Sequence, residues 1–271
     1  MPELPEVETS RRGIEPHILG QTVVDVVIRQ HRLRWPIPRK LPEYLNQQSI
    51  NSVSRRGKYL LLTVDTGTLI IHLGMSGSLR ICTPERAFDK HDHFELVFAN
   101  NKILRLRDPR KFGCVLWTDK PVDQHKLLSK LGPEPLSDDF NGAQLFARSR
   151  KRNCSIKSFI MNSHMVVGVG NIYACESLFL SGINPKRKAG TVSKARCIKL
   201  ADTIKQVLTA SIEQGGTTLR DFSREDGQPG YFAQKLHVYG KANSDCPQCS
   251  TSIKQFTQQA RSTFYCSSCQ K

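Results

Sequence analysis

The 271-residue chain has no apolar run approaching the roughly 18 residues a membrane span needs; the longest are short pieces such as Tyr-Leu-Leu-Leu-Thr-Val at 59–64. It also lacks the basic, then apolar, leader of a secretory signal, because Glu3, Glu6 and Glu8 crowd its start. Both absences lead to the expectation of a soluble cytosolic protein. Acidic residues are scarce, 24 against 40 lysines and arginines, so the net charge is +16. That imbalance points to a polyanionic partner, with nucleic acid first and an anionic membrane surface second. There is no internal repeat and no low-complexity tract. The glycine-spaced stretch Val166–Tyr173 has neither the third glycine of a dinucleotide fingerprint nor the Gly-Lys-Ser/Thr of a phosphate loop, and both readings are rejected.

What is present divides the chain in two. From Gln21 to about Trp117 it is dense in β-branched and alternating segments. His93–Phe98, Asn100-Asn101 and Lys102–Arg107 have the form of a hairpin. Several short strands without interleaved helices predict an antiparallel sandwich. It is preceded by a short helix over 4–15, opened by Pro5 and stopped by Pro16. A short helix is expected around 124–130, then a Gly/Pro linker at 132–137. Helices are expected at 138–152, 155–161 and 193–214, the last burying Ile198, Ala201, Ile204, Leu208 and Ile212 on one face. The fold class is therefore α+β with two domains, a β-sandwich over 1–131 and a helical part from 138. The polar stretch 217–234 is a loop long enough to be functional or disordered.

Nine cysteines form two sets. Cys82, Cys114, Cys154, Cys175 and Cys197 are scattered and are expected to be buried, reduced thiols. Cys246-x2-Cys249-x16-Cys266-x2-Cys269 has the spacing of a zinc ribbon over 235–271, in which two thiolate pairs meet across a hairpin. Four thiolates leave no open position, so one structural Zn2+ is expected. Arg261, near the hairpin tip, is within reach of a phosphate or else merely solvated.

Three further stretches carry chemistry. Pro2 lies behind a methionine that is normally trimmed before a small residue. Its freed secondary amine, with a pKa near ~8, attacks electrophilic sugar carbons and forms a cationic iminium. The alternative is an ordinary solvated terminus. The turns His72–Gly77 and Asp108–Gly113 project Met75 and Phe112, with Arg110 beside them, as base-stack wedges or as core residues. Val166–Tyr173, downstream of Arg148, Arg150, Lys151, Arg152 and Lys157, is a backbone phosphate clamp or a tight helix–helix turn.

Together, Met-Pro-Glu-Leu-Pro-Glu-Val-Glu-Thr, Arg-Arg-Gly-Lys-Tyr-Leu-Leu-Leu, His-Leu-Gly-Met-Ser-Gly, Asp-Pro-Arg-Lys-Phe-Gly, Gly-Val-Gly-Asn-Ile-Tyr-Ala-Cys-Glu-Ser, Gly-Gly-Thr-Thr-Leu-Arg-Asp-Phe, Gly-Tyr-Phe-Ala-Gln and the terminal cysteine ribbon resemble, in the same order, the bacterial formamidopyrimidine-DNA glycosylases. The resemblance covers essentially the whole chain. It implies a helix–two-turn–helix within the helical domain over 138–234. It also implies a monomeric bacterial protein of the cytoplasm and nucleoid, acting on double-stranded DNA with oxidised bases or abasic sites. By resemblance, the Pro2 amine attacks C1′ and Glu3 assists ring opening. Lys58 binds phosphate and assists β-elimination, and Arg261 assists δ-elimination. His91, Arg110, Lys151 and Asn171 contact backbone or orphaned base, Met75, Arg110 and Phe112 fill the emptied stack, and 217–234 closes over a flipped 8-oxoguanine or formamidopyrimidine. Asn162-Ser163 departs from the family's usual Asp-Gln, removing a carboxylate that Lys157 would otherwise be expected to meet. Rival readings are a sister endonuclease VIII-type preference for oxidised pyrimidines, and a non-catalytic zinc-ribbon DNA binder.

Overall fold

A computed structural model describes residues 2–215 and 236–271. Among these, the residues up to Ser129 form one compact unit; those from Lys130 to Glu213, with Leu236 onward, form a second. No helix is long and apolar enough to cross a membrane among the described residues.

The first unit begins with α1 (Leu4–Ile18). It starts where expected, since Pro5 tolerates the first turn and the Glu6 carboxylate reaches back to the Glu3 backbone N–H at 2.8 Å. It does not stop at Pro16. Ile14 and Ile18, one turn apart and fully buried, carry the helix past a proline that costs it one hydrogen bond. Burying an isoleucine stabilises by ~2 kcal/mol, enough to offset much of that cost this close to the end.

Eight strands follow, with a short helix α2 (Leu41–Leu45) between the first two. They are β1 (Val23–Ile28), β2 (Ser52–Arg56), β3 (Tyr59–Val64), β4 (Gly67–His72), β5 (Ser78–Cys82), β6 (Asp92–Phe98), β7 (Ile103–Arg107) and β8 (Cys114–Thr118). One antiparallel sheet has the order β1-β6-β7-β5 and the other β2-β3-β4-β8. The expected hairpin is β6–β7, turned through Asn101 at φ 61°. Leu60, Leu62, Leu69 and Ile71 of one sheet and Phe94, Leu96, Leu104 and Leu106 of the other share a single core with Val7, Ile14 and Ile18 of α1.

Register decides what this sandwich presents. Tyr59 pairs with His72 and His72 with Cys114, so three connections emerge side by side: the β2–β3 turn with Lys58, the loop after His72, and the loop before Cys114. In the other sheet Arg107 pairs with both Ser78 and Asp92, which brings His91, Asp108 and the end of the Met75 loop together.

In the second unit the helices are α3 (Gly142–Ser149), α4 (Ile156–Ile160), α5 (Asn171–Leu180) and α6 (Lys194–Glu213). Asn141 and Ser155 cap the first two through side-chain oxygens accepting from Gln144 and Ser158 N–H groups. α3 is much shorter than the 138–152 predicted, because the chain reaches its cap only at Asn141. The helix expected at 124–130 does not form; a single 3-10 turn at Val122–Gln124 and further turns stand there. On α6 the buried stripe runs through Cys197, Leu200, Ile204, Leu208 and Ser211, leaving Ile198 43% exposed, contrary to expectation. The final hairpin, β9 (Lys254–Gln258) and β10 (Arg261–Tyr265), packs on α5, with Phe264, Cys246 and Cys266 sharing a small core with Cys175 and Phe179.

Candidate active site and nucleic-acid interface

Pro2 and Glu3 are both buried at the head of α1, with Glu3 as its N-cap residue. The helix is secured two turns in. Glu8 accepts from Arg11, Arg12 and Arg55, the last at 3.1 Å from β2. Arg55 also donates to the Gly57 carbonyl at 2.8 Å, in the turn that carries half-buried Lys58. A continuous chain of polar contacts therefore links the N-terminal helix to the Lys58 turn. Burial pushes the Glu8 carboxyl up, but hydrogen bonds from Arg11 and Arg12 and the Arg11 and Arg55 charges outweigh it and hold it below the usual range.

Beside that turn lies a cavity of about 400 Å³ lined by Arg34, His72, Gly74, Met75 and Phe112. Met75 is half-buried and Phe112 45% exposed, with the Arg110 guanidinium 4.9 Å from the Phe112 ring centroid. The His72 Nδ1 accepts the Gly74 N–H at 2.9 Å. Desolvation, then the Lys58 and Arg34 charges, push its pKa down to about 4, so the ring is neutral at physiological pH and keeps its remaining N–H as a donor. Neither His72 nor Arg34 was singled out by sequence. Their signal, a polar residue ending a strand and an arginine beside Trp35, is common on any basic surface. Half-buried His91 stands edge-on to His93, ring centroids 6.5 Å apart.

In the second unit the basic cluster is mostly committed to the protein itself. Arg148 donates to the carbonyls of His164 and Met165, and Arg150 to those of Ala189 and Val192 while covering the Phe146 ring. Lys157 is buried, donating to Asn171 Oδ1 at 2.6 Å and Thr263 Oγ1 at 2.7 Å. Lys151, at φ 59°, and Arg152 are exposed. Asn171, expected to face DNA, uses its side chain as a tie: Nδ2 donates to the Ser262 carbonyl at 2.9 Å. Arg261, exposed, directly precedes that residue. Asn162 has no carboxylate for Lys157, which is satisfied elsewhere. Its Oδ1 accepts the His164 N–H, so the local turn is kept. Val166, Val167 and Val169 are buried, the mark of a packed turn between helices.

The four terminal cysteines converge, their sulfurs all within 4.8 Å of one another. The pairs Cys246–Cys269 and Cys249–Cys266 are 3.9 and 3.5 Å apart. Tetrahedral zinc with Zn–S bonds near 2.3 Å separates its sulfurs by about 3.8 Å, whereas a disulfide needs about 2.05 Å. The donor set fits zinc, which would be held by all four residues and would stabilise the hairpin. Of the scattered cysteines, Cys82, Cys114, Cys175 and Cys197 are buried as expected, and desolvation pushes the Cys114 thiol up to about 12. Cys154 is exposed, against expectation, because it lies in the polar connection between α3 and α4.

The formamidopyrimidine-DNA glycosylase N-terminal domain family matches residues 1–115, and the family's H2TH domain matches 131–223. The chain belongs to the formamidopyrimidine-DNA glycosylase family. Relatives of that name from Cellvibrio japonicus and from Escherichia coli strain 55989 are 58% and 56% identical, over 100% of both chains in each case. Among solved structures, a complex of wild-type Lactococcus lactis Fpg (MutM) with N7-benzyl-Fapy-dG DNA is similar at 34% identity, with a TM-score of 0.92 and full coverage of both chains. MutM (Fpg) from Thermus thermophilus is similar at 33% identity and a TM-score of 0.88, over 99% of this chain and 98% of that one. For a glycosylase of this family, the 217–234 loop expected to close over the base lies outside the described residues, as does Met1.

Proposed function

We propose that this protein removes oxidised purines, 8-oxoguanine and formamidopyrimidines, from double-stranded DNA and then cleaves the strand at the abasic sugar. The observation that carries the assignment of residues is the placement of buried Pro2 directly ahead of Glu3, itself the cap of a helix fixed through Glu8 and Arg55. Once Met1 is removed, the Pro2 nitrogen attacks C1′, the glycosidic bond breaks and the base departs. Glu3 delivers a proton to the sugar ring oxygen as the ring opens, leaving an iminium. The iminium is an electron sink that acidifies C2′–H. Loss of that proton expels the 3′ phosphate, a second elimination expels the 5′ phosphate, and a one-nucleotide gap remains. Lys58 and Arg261 serve these two steps.

The base is out of reach inside a duplex and must be flipped. Met75, Arg110 and Phe112 occupy the emptied stack and His91 and Lys151 act at the backbone, while Asn171, its side chain tied to Lys157 and Ser262, holds the second unit's turn against the hairpin that carries Arg261. The division of labour follows domain lines at 1–131, 138–234 and 235–271, with a linker at 132–137. The setting is the bacterial cytoplasm at the nucleoid, and the enzyme acts as a monomer. Relatives solved with Fapy-dG and abasic-site DNA support this substrate class. Borohydride added during reaction with 8-oxoguanine duplex is expected to trap a covalent protein–DNA adduct. Absence of an adduct, in protein whose Met1 is shown to be removed, would sink the reading.

A further inference from the structure

Asp108 is fully buried, yet it is a carboxylate, and neither the elimination chemistry nor the phosphate contacts use it. Its two oxygens are divided between two loops. Oδ2 accepts the Gly113 N–H at 2.7 Å, closing the turn that carries Arg110 and Phe112. Oδ1 accepts the Ser76 hydroxyl at 3.1 Å, reaching across to the turn that carries Met75. Its backbone is engaged as well: its carbonyl accepts His93 Nε2 at 3.0 Å, and its N–H donates to the His91 carbonyl at 3.0 Å. A cap that served only its own turn would need the Gly113 bond alone. The bond to Ser76, 32 residues away, joins separate loops.

The loops also interlock through their backbones. Gly74 sits at φ 65°, and a Cβ there would collide with the backbone of Phe112 and Gly113. The Gly113 carbonyl accepts the Arg34 N–H at 3.0 Å, which fixes the far side of the same contact. Met75 and Phe112 line one cavity but belong to different connections, so nothing in the chain between them sets their separation.

We propose that Asp108 is a positioning residue: its carboxylate locks the Met75 turn to the Arg110–Phe112 turn so that both enter the base stack as one rigid wedge. This rests on the proposed reading of those three side chains as stack-filling groups. A wedge offsets the cost of unstacking and unpairing a base, a few kcal/mol. Everting a sugar that has already lost its base breaks no pair. Loosening the wedge therefore harms base excision more than it harms cleavage of a preformed abasic site.

The test compares 8-oxoguanine excision with strand cleavage at a preformed abasic site, in single turnover, for the wild type, Asp108→Ala, Asp108→Asn and Ser76→Ala. Asparagine can keep both bonds, its carbonyl accepting the Gly113 N–H and its amide donating to the Ser76 oxygen. Asp108→Ala is expected to lower excision at least ten-fold more than abasic-site cleavage. Asp108→Asn should recover most of that selective loss, and Ser76→Ala should show the same selectivity at about three-fold. Equal losses on both substrates, or an asparagine variant as selective in its defect as the alanine one, would overturn the proposal. If Asp108→Ala does not fold, Ser76→Ala decides alone, and equal effects on both substrates count against it. Wild-type protein that traps on neither substrate would instead defeat the functional reading itself, so the two failures are separable.

Discussion

Two hairpin turns in this protein each present one cation, and they are held by different means. The β2–β3 turn with Lys58 belongs to a four-stranded sheet, shares a core with a second sheet and is tied to α1 through Arg55 and Glu8. The β9–β10 turn that leads into Arg261 belongs to a hairpin of two five-residue strands, too small to be stable in water by itself. Its core is small, Val238, Ile253 and Phe264 against Phe179 of α5, and four converging sulfurs stand beside it. The tip differs too. The Lys58 turn places a glycine, Gly57, at its left-handed position, whereas the other turn places Gln259 and Ala260 there, at φ 49° and 57°. Side chains in that region cost about 1 kcal/mol each, and the Arg261 turn bears that cost because a two-residue loop between Gln258 and Arg261 matches the twist of the hairpin with φ positive at both positions. A cation can be fixed by burial or by coordination, and coordination does it with far fewer residues.

Removing the metal should break the comparison most strongly. Zinc binding in such ribbons contributes on the order of 10 kcal/mol, so chelation should abolish amide protection across Lys254–Tyr265 while leaving β3 and β4 protected. Hydrogen exchange reads both at once; a ribbon that stays protected with zinc shown absent would mean that packing on α5 suffices.

A smaller effect is expected from Glu8→Gln. It leaves the half-buried Arg11 and Arg55 without their shared carboxylate and should cost about 3 kcal/mol in denaturant unfolding of the first unit. Cleavage at abasic sites should fall with it, because the Lys58 turn loses its tie to α1. A stability change under about 0.5 kcal/mol would show the network to be no more than a surface ion pair.

The smallest effect is a pH dependence confined to the first turn's surroundings. His72 has its folded pKa at about 4, below the ordinary 6.5. The unfolded state therefore binds the extra proton, and stability falls as pH drops through the interval between those values, with no effect above it. Between pH 7.5 and 5 the loss amounts to about 2 kcal/mol. His72→Gln should flatten that part of the unfolding-versus-pH curve; an unchanged slope would assign it to other groups.

The motif blocks were legible in the sequence because each is local chemistry. The cysteine spacing announces a metal site, β-branched alternation a sandwich, and a methionine followed by proline a terminal amine. What could not be read was which polar side chains the protein consumes internally. Arg148, Arg150, Lys157 and Asn171 look like a phosphate-binding set along the chain, but the fold uses them on carbonyls and on one another. Arg-to-carbonyl contacts depend on long-range approach, which composition does not encode. Pro16 fails as a stop because burial of Ile18 overrides a local breaker, and 124–130 forms turns rather than a helix because it fully buries one side chain, Leu128, which a turn anchors as well as a helix does.

The sequence by itself determined most of the elements of this protein, the charge that seeks a polyanion, the zinc ligands and the membership of its family. Tertiary structure alone decided that Lys58, His72, Met75 and Phe112 emerge at one edge of a sheet, because that follows from strand register. It alone made Asp108 a joint between two loops rather than the first residue of a turn, because a hydrogen bond spanning 32 residues exists only once both sheets have formed.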